Sequence, residues 1–194
     1  DALLWIKGGF EESEIQTLIR LISEYKCTRF LDVGANMGLC TLRILRETGV
    51  ENVVAFEPDP RNFAQLQAHL FLNGLSDKCK ALQMAVSNQV DKLRFILARL
   101  QRSCDFERVN SGTSRVAKDK EMQVDEPVIE IAATSVDELL DWKGQRIALK
   151  IDVEGWESAV IQGAQNLLKN NMCLVQLELL AGEDTPAALV LKSM

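Results

Sequence analysis

The hydrophobic positions of this chain fall into two patterns that alternate along its length. Short apolar runs bounded by polar residues are followed by amphipathic stretches in which apolar residues recur every three to four positions. The short runs are typical of buried strands, and the amphipathic stretches are typical of helices that cover a sheet. Because the two alternate, the pattern predicts an α/β fold with βαβ units on a mainly parallel, doubly wound sheet.

Individual elements can be assigned from these runs and from the capping residues around them. Strands are predicted at residues 29–33, 53–56, 81–86, 93–97, 128–132, 146–153 and 173–180. An N-terminal helix is predicted at 12–27, and further helices follow Gly38, Asp59, Ser135 and Gly155. We expect the whole chain, residues 1–194, to form one domain, because its length suits a single hydrophobic core.

Residues 98–127 interrupt the alternation. This stretch is mostly polar, carries charges of both signs and contains Ser-Gly-Thr-Ser at residues 111–114. Long loops of this kind are uncommon inside compact domains and are usually lids, binding loops or disordered segments. We expect a mobile insertion beside the functional site, before the fourth core strand, with simple disorder as the alternative.

Composition limits the classes of partner. The chain has 22 Lys and Arg residues against 28 Asp and Glu residues, a net charge of −6, which disfavours nucleic acid and favours a cationic ligand. No apolar run approaches the ~20 residues of a membrane span. Five cysteines are dispersed without a Cys-x-x-Cys motif, which predicts reduced thiols and a cytoplasmic protein. With one histidine, His69, the chain offers no His cluster, and we expect no metal site.

The carboxyl ends of the predicted strands carry the residues with chemical potential. Ligands of open α/β sheets bind beyond these ends. The residues there are Asp32 with the loop 34–38, Glu57 with Pro58, Ala85 with Val86, Asp152 with Glu154, and Glu178. Four of these five strand ends therefore carry at least one carboxylate.

The first two strand ends indicate a cofactor that contains adenosine. Gly34 and Gly38 permit a tight turn before a helix whose N-terminal amides can face a ligand. Glu57 follows Gly34 at about the spacing of ~20 residues expected for an acid that binds ribose hydroxyls. Each feature alone is also compatible with an ordinary turn or a solvated strand end. Their joint occurrence, in order and at strand ends, favours a binding site.

The charges favour S-adenosylmethionine over a dinucleotide. Asn36 occupies the position of the middle glycine in the dinucleotide fingerprint Gly-x-Gly-x-x-Gly. Asp32, Asp152 and Glu154 would also stand near the doubly negative pyrophosphate, where like charges are unfavourable. S-adenosylmethionine lacks phosphate and carries a cationic sulfonium and a cationic ammonium, so carboxylates suit it better.

Three segments resemble the FkbM family of S-adenosylmethionine-dependent methyltransferases. They are Phe-Leu-Asp-Val-Gly-Ala-Asn-Met-Gly at 30–38, Val-Ala-Phe-Glu-Pro-Asp-Pro at 54–60 and Leu-Lys-Ile-Asp-Val-Glu-Gly-Trp-Glu at 149–157. The resemblance implies a Rossmann-like class I methyltransferase fold, S-adenosylmethionine as the cofactor, and methyl transfer to a hydroxyl of a sugar or other small metabolite. Such folds usually end in a hairpin with an antiparallel strand. The sequence stops before one is evident, which leaves the completeness of the sheet open.

The resemblance also implies roles for the residues at the strand ends. The methionine part of the cofactor would be wrapped by Gly34, Ala35, Asn36 and Gly38, and Asp32 would meet its ammonium or order the loop. Glu57 with Pro58 would take the ribose hydroxyls, and the adenine would lie against Ala85 and Val86. Asp152 would face the sulfonium and the acceptor. An alcohol needs a base to become a good nucleophile, and Glu154 or Asp152 is the candidate. Clustered carboxylates raise one another's pKa, which would help one of them accept a proton near neutrality.

Two other readings stay open at this point. One is a nicotinamide-dependent oxidoreductase, which the absence of the middle glycine disfavours. The other is a domain that binds S-adenosylmethionine without catalysis. The sequence leaves the identity of the acceptor and the oligomeric state undetermined.

Overall fold

The structure, a computed structural model, describes residues 12–98, 100–102, 107–109, 113–117 and 126–177. The strands are β1 (Arg29–Val33), β2 (Asn52–Phe56), β3 (Cys79–Leu82), β4 (Ala85–Val86), β5 (Asp91–Ile96), β6 (Leu100–Arg102), β7 (Glu107–Val109), β8 (Arg115–Val116), β9 (Val128–Thr134), β10 (Arg146–Ile151) and β11 (Met172–Leu177). The α-helices are α1 (Glu12–Tyr25), α2 (Leu39–Glu47), α3 (Pro60–Leu72), α4 (Val136–Leu139), α5 (Glu157–Gln162) and α6 (Gln165–Asn170). None of these helices is long and apolar enough to cross a bilayer.

The main sheet is parallel and is covered by helices on both faces. Its strand order is β11-β10-β1-β2-β3, and all four neighbouring pairs run parallel. Successive residues of β1 point to opposite faces. Phe30 packs in the cluster formed with α1, α2 and α3, and Leu31 packs in the cluster formed with α4, α5 and α6. The prediction of a doubly wound, mainly parallel sheet is therefore confirmed.

The N-terminal helix α1 forms because one of its faces is apolar. Ile15, Leu18 and Ile22 recur at helical spacing and are buried against the sheet. The helix ends two residues earlier than the predicted position 27. Lys26 has a left-handed backbone with φ of 53°, and the N–H of Cys27 donates to the carbonyl of Ile22, which closes the last turn.

A second sheet lies between β3 and β10 in chain order. It has the strand order β4-β9-β5-β8, with β4 parallel to β9 and the other two pairs antiparallel. The prediction of one strand over 81–86 is wrong in this respect. The chain turns at Gln83 and Met84, where the Met84 N–H donates to the Leu82 carbonyl, so β3 stays in the main sheet and β4 pairs with β9.

The insertion predicted before the fourth core strand is present in part in the described residues. Strands β6 and β7 form an antiparallel hairpin, and β8 pairs with the end of β5. The fourth core strand in chain order is β10. The predicted mobility of residues 98–127 concerns, for the most part, positions outside the described residues. The same holds for Glu178, Cys104 and the expected C-terminal hairpin.

Two other boundaries differ from the prediction. The helix predicted after Gly155 is divided into α5 and α6 near Gly163. A Cβ at Gly163 would lie 2.0 Å from the carbonyl oxygen of Ser87, so the second sheet approaches the helical backbone closely there. Strand β10 ends at Ile151, before the left-handed residues Glu154 and Gly155.

Candidate functional site

The loop between β1 and α2 is folded tightly against its neighbours. Gly34, Asn36 and Gly38 have φ values of 87°, 52° and 89°. The N–H groups of Gly34 and Ala35 both donate to the carbonyl oxygen of Phe56, at 3.0 and 2.9 Å. A Cβ at Gly34 would stand 1.8 Å from the carbonyl oxygen of Asp152, a distance that no side chain permits. The ends of β1, β2 and β10 are thus brought into contact.

The N–H groups of this loop are used within the protein. Besides the two that bind Phe56, the Asn36 N–H donates to Glu57, the Met37 N–H donates to the Asn36 side chain, and the Gly38 N–H donates to the carbonyl of Ala35. The loop therefore has no spare backbone donor at residues 34–38. A phosphate needs hydrogen-bond donors, whereas an ammonium needs oxygen acceptors, so a loop without free N–H groups suits an ammonium better.

The far end of the loop is packed on α3. A Cβ at Gly38 would come within 2.5 Å of the Leu66 side chain, so only glycine fits there without displacing that leucine. Nδ1 of the half-buried His69 lies 2.8 Å from the carbonyl oxygen of Met37. Helix α3 thus holds the loop at the side opposite β10.

Glu57 is buried directly after β2 and is held by two backbone groups. Its Oε2 accepts a hydrogen bond from the Asn36 N–H at 2.7 Å, and its Oε1 accepts one from the Asp59 N–H at 2.8 Å. Burial raises the pKa of Glu57 to about 7, although these two hydrogen bonds oppose the rise. Because a carboxylate oxygen can accept two hydrogen bonds, each oxygen keeps capacity for one more donor. Pro58 is half-buried in the turn between Glu57 and Asp59.

Asp32 and Lys150 lie opposite each other on β1 and β10, at the floor of the site. Asp32 is fully buried, and its Oδ2 accepts a hydrogen bond of 2.6 Å from the Thr41 hydroxyl of α2. Its Oδ1 has no hydrogen-bond partner among the described residues. Burial raises the pKa of Asp32, while Lys150 and Thr41 oppose that rise.

Lys150 interacts with the charges of both Asp32 and Asp152. Its Nζ lies 2.6 Å from Oδ2 of Asp152, the ion pair that strand alternation favours. Burial by itself would lower the pKa of Lys150, but the charges of Asp32 and Asp152 outweigh burial and raise that pKa above its usual value. The ammonium stays charged and compensates the two carboxylates around it.

Glu154 follows β10 in a left-handed conformation, with φ of 52°. The next residue, Gly155, donates its N–H to the buried side chain of Glu157 at 2.9 Å. Burial raises the pKa of Glu154, and the charges of Asp152 and Glu157 raise it further, while Arg115 of β8 opposes them. Glu154 is therefore a half-buried carboxyl group suited to accept a proton.

Ala85 and Val86 belong to the second sheet instead of ending a strand of the main sheet. Both are buried, and Val86 packs in the same cluster as Phe56 at the end of β2. The N–H of Ser87 donates to the Thr134 carbonyl at 2.7 Å, and Nε1 of Trp156 donates to the Ser87 hydroxyl at 3.3 Å. The turn after β4 is thus connected to the loop that carries Glu154.

Four of the predicted acids, Asp32, Glu57, Asp152 and Glu154, lie at the ends of the neighbouring strands β1, β2 and β10, whereas Glu178 lies outside the described residues. The charge of Asp32 affects the pKa of Glu57, the charge of Asp152 affects the pKa of Asp32, and the same Asp152 charge affects Glu154. No group of three or more His, Cys, Asp or Glu in the described part of the chain could hold a metal ion.

Several polar residues of the site received no individual role from the sequence, although Ser114 belongs to the Ser-Gly-Thr-Ser segment at 111–114. They are Thr41, which binds Asp32; Arg61 and Ser114, which bind Asp59; and Arg115, which affects Glu154. Thr41 alone had a local signal, because it stands between the apolar Cys40 and Leu42 on a helix that covers the sheet. The partners of Ser114 and Arg115 are distant in sequence.

A parallel sheet with a glycine loop after β1 and an acid after β2 is an arrangement with which open α/β folds bind adenosine-containing cofactors. Two solved structures share the fold. The methyltransferase FkbM from Methylobacillus flagellatus KT aligns with a TM-score of 0.56 and 17% identity over 86% of this chain and 36% of its own. The O-methyltransferase from Bacillus cereus, solved with S-adenosylhomocysteine, aligns with a TM-score of 0.51 and 10% identity over 95% of this chain and 68% of its own.

The chain belongs to the FkbM methyltransferase family, because the profile of the Methyltransferase FkbM domain matches residues 32–190. The family resemblance stated from the sequence is thereby confirmed, and the cofactor of this family is S-adenosylmethionine. The chain spans about a third of the length of the Methylobacillus protein. No curated protein matches the chain with significance.

Proposed function

We propose that this chain is an S-adenosylmethionine-dependent O-methyltransferase that acts on a hydroxyl of a sugar or other small metabolite. The observation that carries the proposal is the single cluster of Asp32, Glu57, Asp152 and Glu154 at adjacent strand ends around the 34–38 loop. A cationic cofactor and a proton released by an alcohol are the two species that such a cluster suits.

The residues present fit the cofactor. Oδ1 of Asp32 is a buried acceptor without a partner among the described residues, which suits an ammonium. Gly34, Ala35, Asn36 and Gly38 supply a loop without spare N–H donors at residues 34–38, which suits a cation more than a phosphate. S-adenosylmethionine supplies the electrophilic methyl group that the acceptor oxygen takes up.

The remaining cofactor contacts follow from position. Both Glu57 oxygens have capacity for one more hydrogen bond, which suits the two ribose hydroxyls, and Pro58 shapes the turn beside them. Ala85 and Val86 are apolar and buried at the neighbouring turn, and we assign them to the edge of the adenine ring. These assignments make residues 32–86 the cofactor half of the site.

We assign the proton acceptor to Glu154. Oδ2 of Asp152 lies 2.6 Å from Nζ of Lys150, and this ion pair compensates the charge of the Asp152 carboxylate. We therefore assign Asp152 to the cofactor side of the site and not to proton transfer. The pKa of Glu154 is raised by burial and by Asp152, so its carboxylate takes up a proton closer to neutrality than an ordinary glutamate. In this assignment the hydroxyl proton moves to Glu154 as the acceptor oxygen bonds to the methyl carbon.

Calorimetry with S-adenosylmethionine, S-adenosylhomocysteine and NAD tests the cofactor, and a turnover assay on a panel of hydroxylated metabolites tests the reaction. We expect the two adenosyl compounds to bind and NAD to be inert. Binding of NAD alone would overturn the proposal. Binding of S-adenosylmethionine without turnover on a broad panel would favour a non-catalytic binding domain.

Replacement of Glu154 by Gln tests the proton acceptor. Glu154→Gln keeps the shape of the side chain and loses its basicity, so turnover should fall by about 100-fold or more while S-adenosylhomocysteine binds as in the wild type. Glu130→Gln is the matched control, because Glu130 forms an exposed ion pair with Lys92. Unchanged turnover in Glu154→Gln would remove this residue from the role.

The proposal extends to the setting of the site. We propose one methyltransferase domain over residues 1–194, a small-molecule acceptor, no nucleic acid partner and a cytoplasmic location. The net charge of −6 supports the exclusion of nucleic acid, and the described cysteines, all of them free thiols, support a reducing compartment. The bond between Ser114 and Asp59 supports the expectation that the insertion borders the site.

A further inference from the structure

A closed ring of hydrogen bonds connects the second sheet to the start of α3. Asp59, fully buried, accepts through Oδ2 from the Ser114 hydroxyl at 2.9 Å and from Nη2 of Arg61 at 2.6 Å. Nη1 of Arg61 donates to the carbonyl of Ala98 at 3.1 Å. The ring closes where the N–H of Ala98 donates to the Ser114 hydroxyl oxygen at 2.9 Å.

The ring exceeds what is needed to cap a helix. Asp59 caps α3 through Oδ1, which accepts from the Arg61 N–H at 2.9 Å, so a single oxygen of this carboxylate makes the capping bond. Oδ2 instead reaches residue 114, which directly precedes β8. Ser114 donates one hydrogen bond and accepts another, so its hydroxyl group has a defined orientation.

The ring also contacts the candidate ribose acid through one more hydrogen bond. The N–H of Asp59 donates to Oε1 of Glu57 at 2.8 Å, and both residues are buried. The position of the Asp59 peptide therefore determines where this donor points. Because the Asp59 side chain is held by Ser114 and Arg61, the orientation of the Glu57 carboxylate depends on residues that lie outside the 34–38 loop.

We propose that Ser114 and Arg61 are positioning residues of the cofactor site, which act through Asp59 to orient the Glu57 carboxylate. The inference rests on the proposed function, in which Glu57 binds the ribose. Through Ser114, it gives the segment between β5 and β9 a role in cofactor affinity. The composition of that segment indicates a polar insertion but not this role.

The test is S-adenosylhomocysteine affinity of the full chain, measured by calorimetry and in displacement mode for weak variants. Ser114→Ala removes the hydroxyl, and we expect affinity to fall about fivefold. Ser114→Thr keeps the hydroxyl and should restore most of that loss. Arg61→Gln, at a side chain that is 32% exposed, should weaken binding similarly. Lys92→Ala is the control, because it removes an exposed ion pair from the same second sheet.

A double-mutant cycle distinguishes positioning from general destabilisation. If Ser114 acts through Glu57, Ser114→Ala should have little further effect in a Glu57→Gln background. An equal fivefold loss in both backgrounds would overturn the inference, because Ser114 would then act independently of Glu57. Should Ser114→Ala fail to fold, Arg61→Gln with and without Glu57→Gln gives the same decision.

The outcomes separate this inference from the proposed function. If the wild-type chain does not bind S-adenosylhomocysteine, the proposed function fails and the inference fails with it. If the wild type binds but neither Ser114→Ala nor Arg61→Gln weakens binding, only the inference is overturned. Weakened binding that Ser114→Thr restores and that disappears in the Glu57→Gln background supports it.

Discussion

Glu57 changes its charge near neutral pH. Burial raises its pKa to about 7 from 4.5, so the side chain is largely protonated at pH 6 and largely ionised at pH 8. Hydrogen bonds from ribose hydroxyls favour the ionised form. We therefore expect S-adenosylhomocysteine to bind roughly tenfold more tightly at pH 8 than at pH 6, as calorimetry at the two pH values will measure.

The sign of the stability effect is opposite. Between pH 4.5 and about 7 the folded chain holds a proton on Glu57 that the unfolded chain has released, so the free energy of unfolding falls as pH rises through this interval. Glu57→Gln cannot titrate and should remove the contribution of this residue to both pH dependences. A tenfold change in affinity that persists in Glu57→Gln would assign the effect to another group.

At this scale the sequence predicts which residues lie at the ends of strands. Gly34, Asn36, Glu57 and Glu154 could be identified because chain order and burial place them at neighbouring strand ends. The bond from Ser114 to Asp59 spans 55 positions, and nothing local in the sequence indicates it. Such contacts follow from how two sheets meet.

Element boundaries are predicted well where local chemistry determines them. Strand β1 has the predicted bounds, and α3 begins at Pro60 after the capping residue Asp59. The prediction fails where tertiary contacts decide. The division of α5 from α6 depends on the carbonyl of Ser87 beside Gly163, and the turn at Gln83 and Met84 lacks a glycine or proline.

The loop after β1 allows a direct test of how closely two strand ends pack. Gly34 has a φ of 87°, and a Cβ added at this position would lie 1.8 Å from the Asp152 carbonyl oxygen. Gly34→Ala must therefore strain the backbone and displace β10, and we expect a loss of about 3 kcal/mol or more in the free energy of unfolding, measured by chemical denaturation.

Gly49→Ala is the matched control for that substitution. Nothing lies within 4 Å of a Cβ at Gly49, so the free energy of unfolding should change by less than about 1 kcal/mol. Equal losses in the two variants would show that the contact between the loop and Asp152 contributes little.

The whole molecule consists of a main sheet and a second sheet, and the sequence indicates the first far better than the second. Strands of the main sheet contain continuous apolar runs such as 53–56, buried on both faces, and these are easily recognised. Strands β5 and β9 mix charged and apolar residues without a regular alternation, and they pair with each other across residues 97–127. Their assembly with β4 into a separate sheet follows from pairing that local patterns do not encode.

Trp156 lies where the two sheets meet. Its ring packs on the cluster that lines the main sheet and on the cluster of the second sheet, and its Nε1 donates to Ser87. We expect Trp156→Ala to lower the free energy of unfolding by about 3 kcal/mol and to speed amide hydrogen exchange in β5 and β9 more than in β1 and β10. Trp142→Ala is the control, because Trp142 packs only on the main-sheet cluster. Trp142→Ala should destabilise the chain without a preferential rise in hydrogen exchange in β5 and β9. A uniform rise in exchange after Trp156→Ala would show that the two sheets unfold as one unit independently of the Trp156 contact.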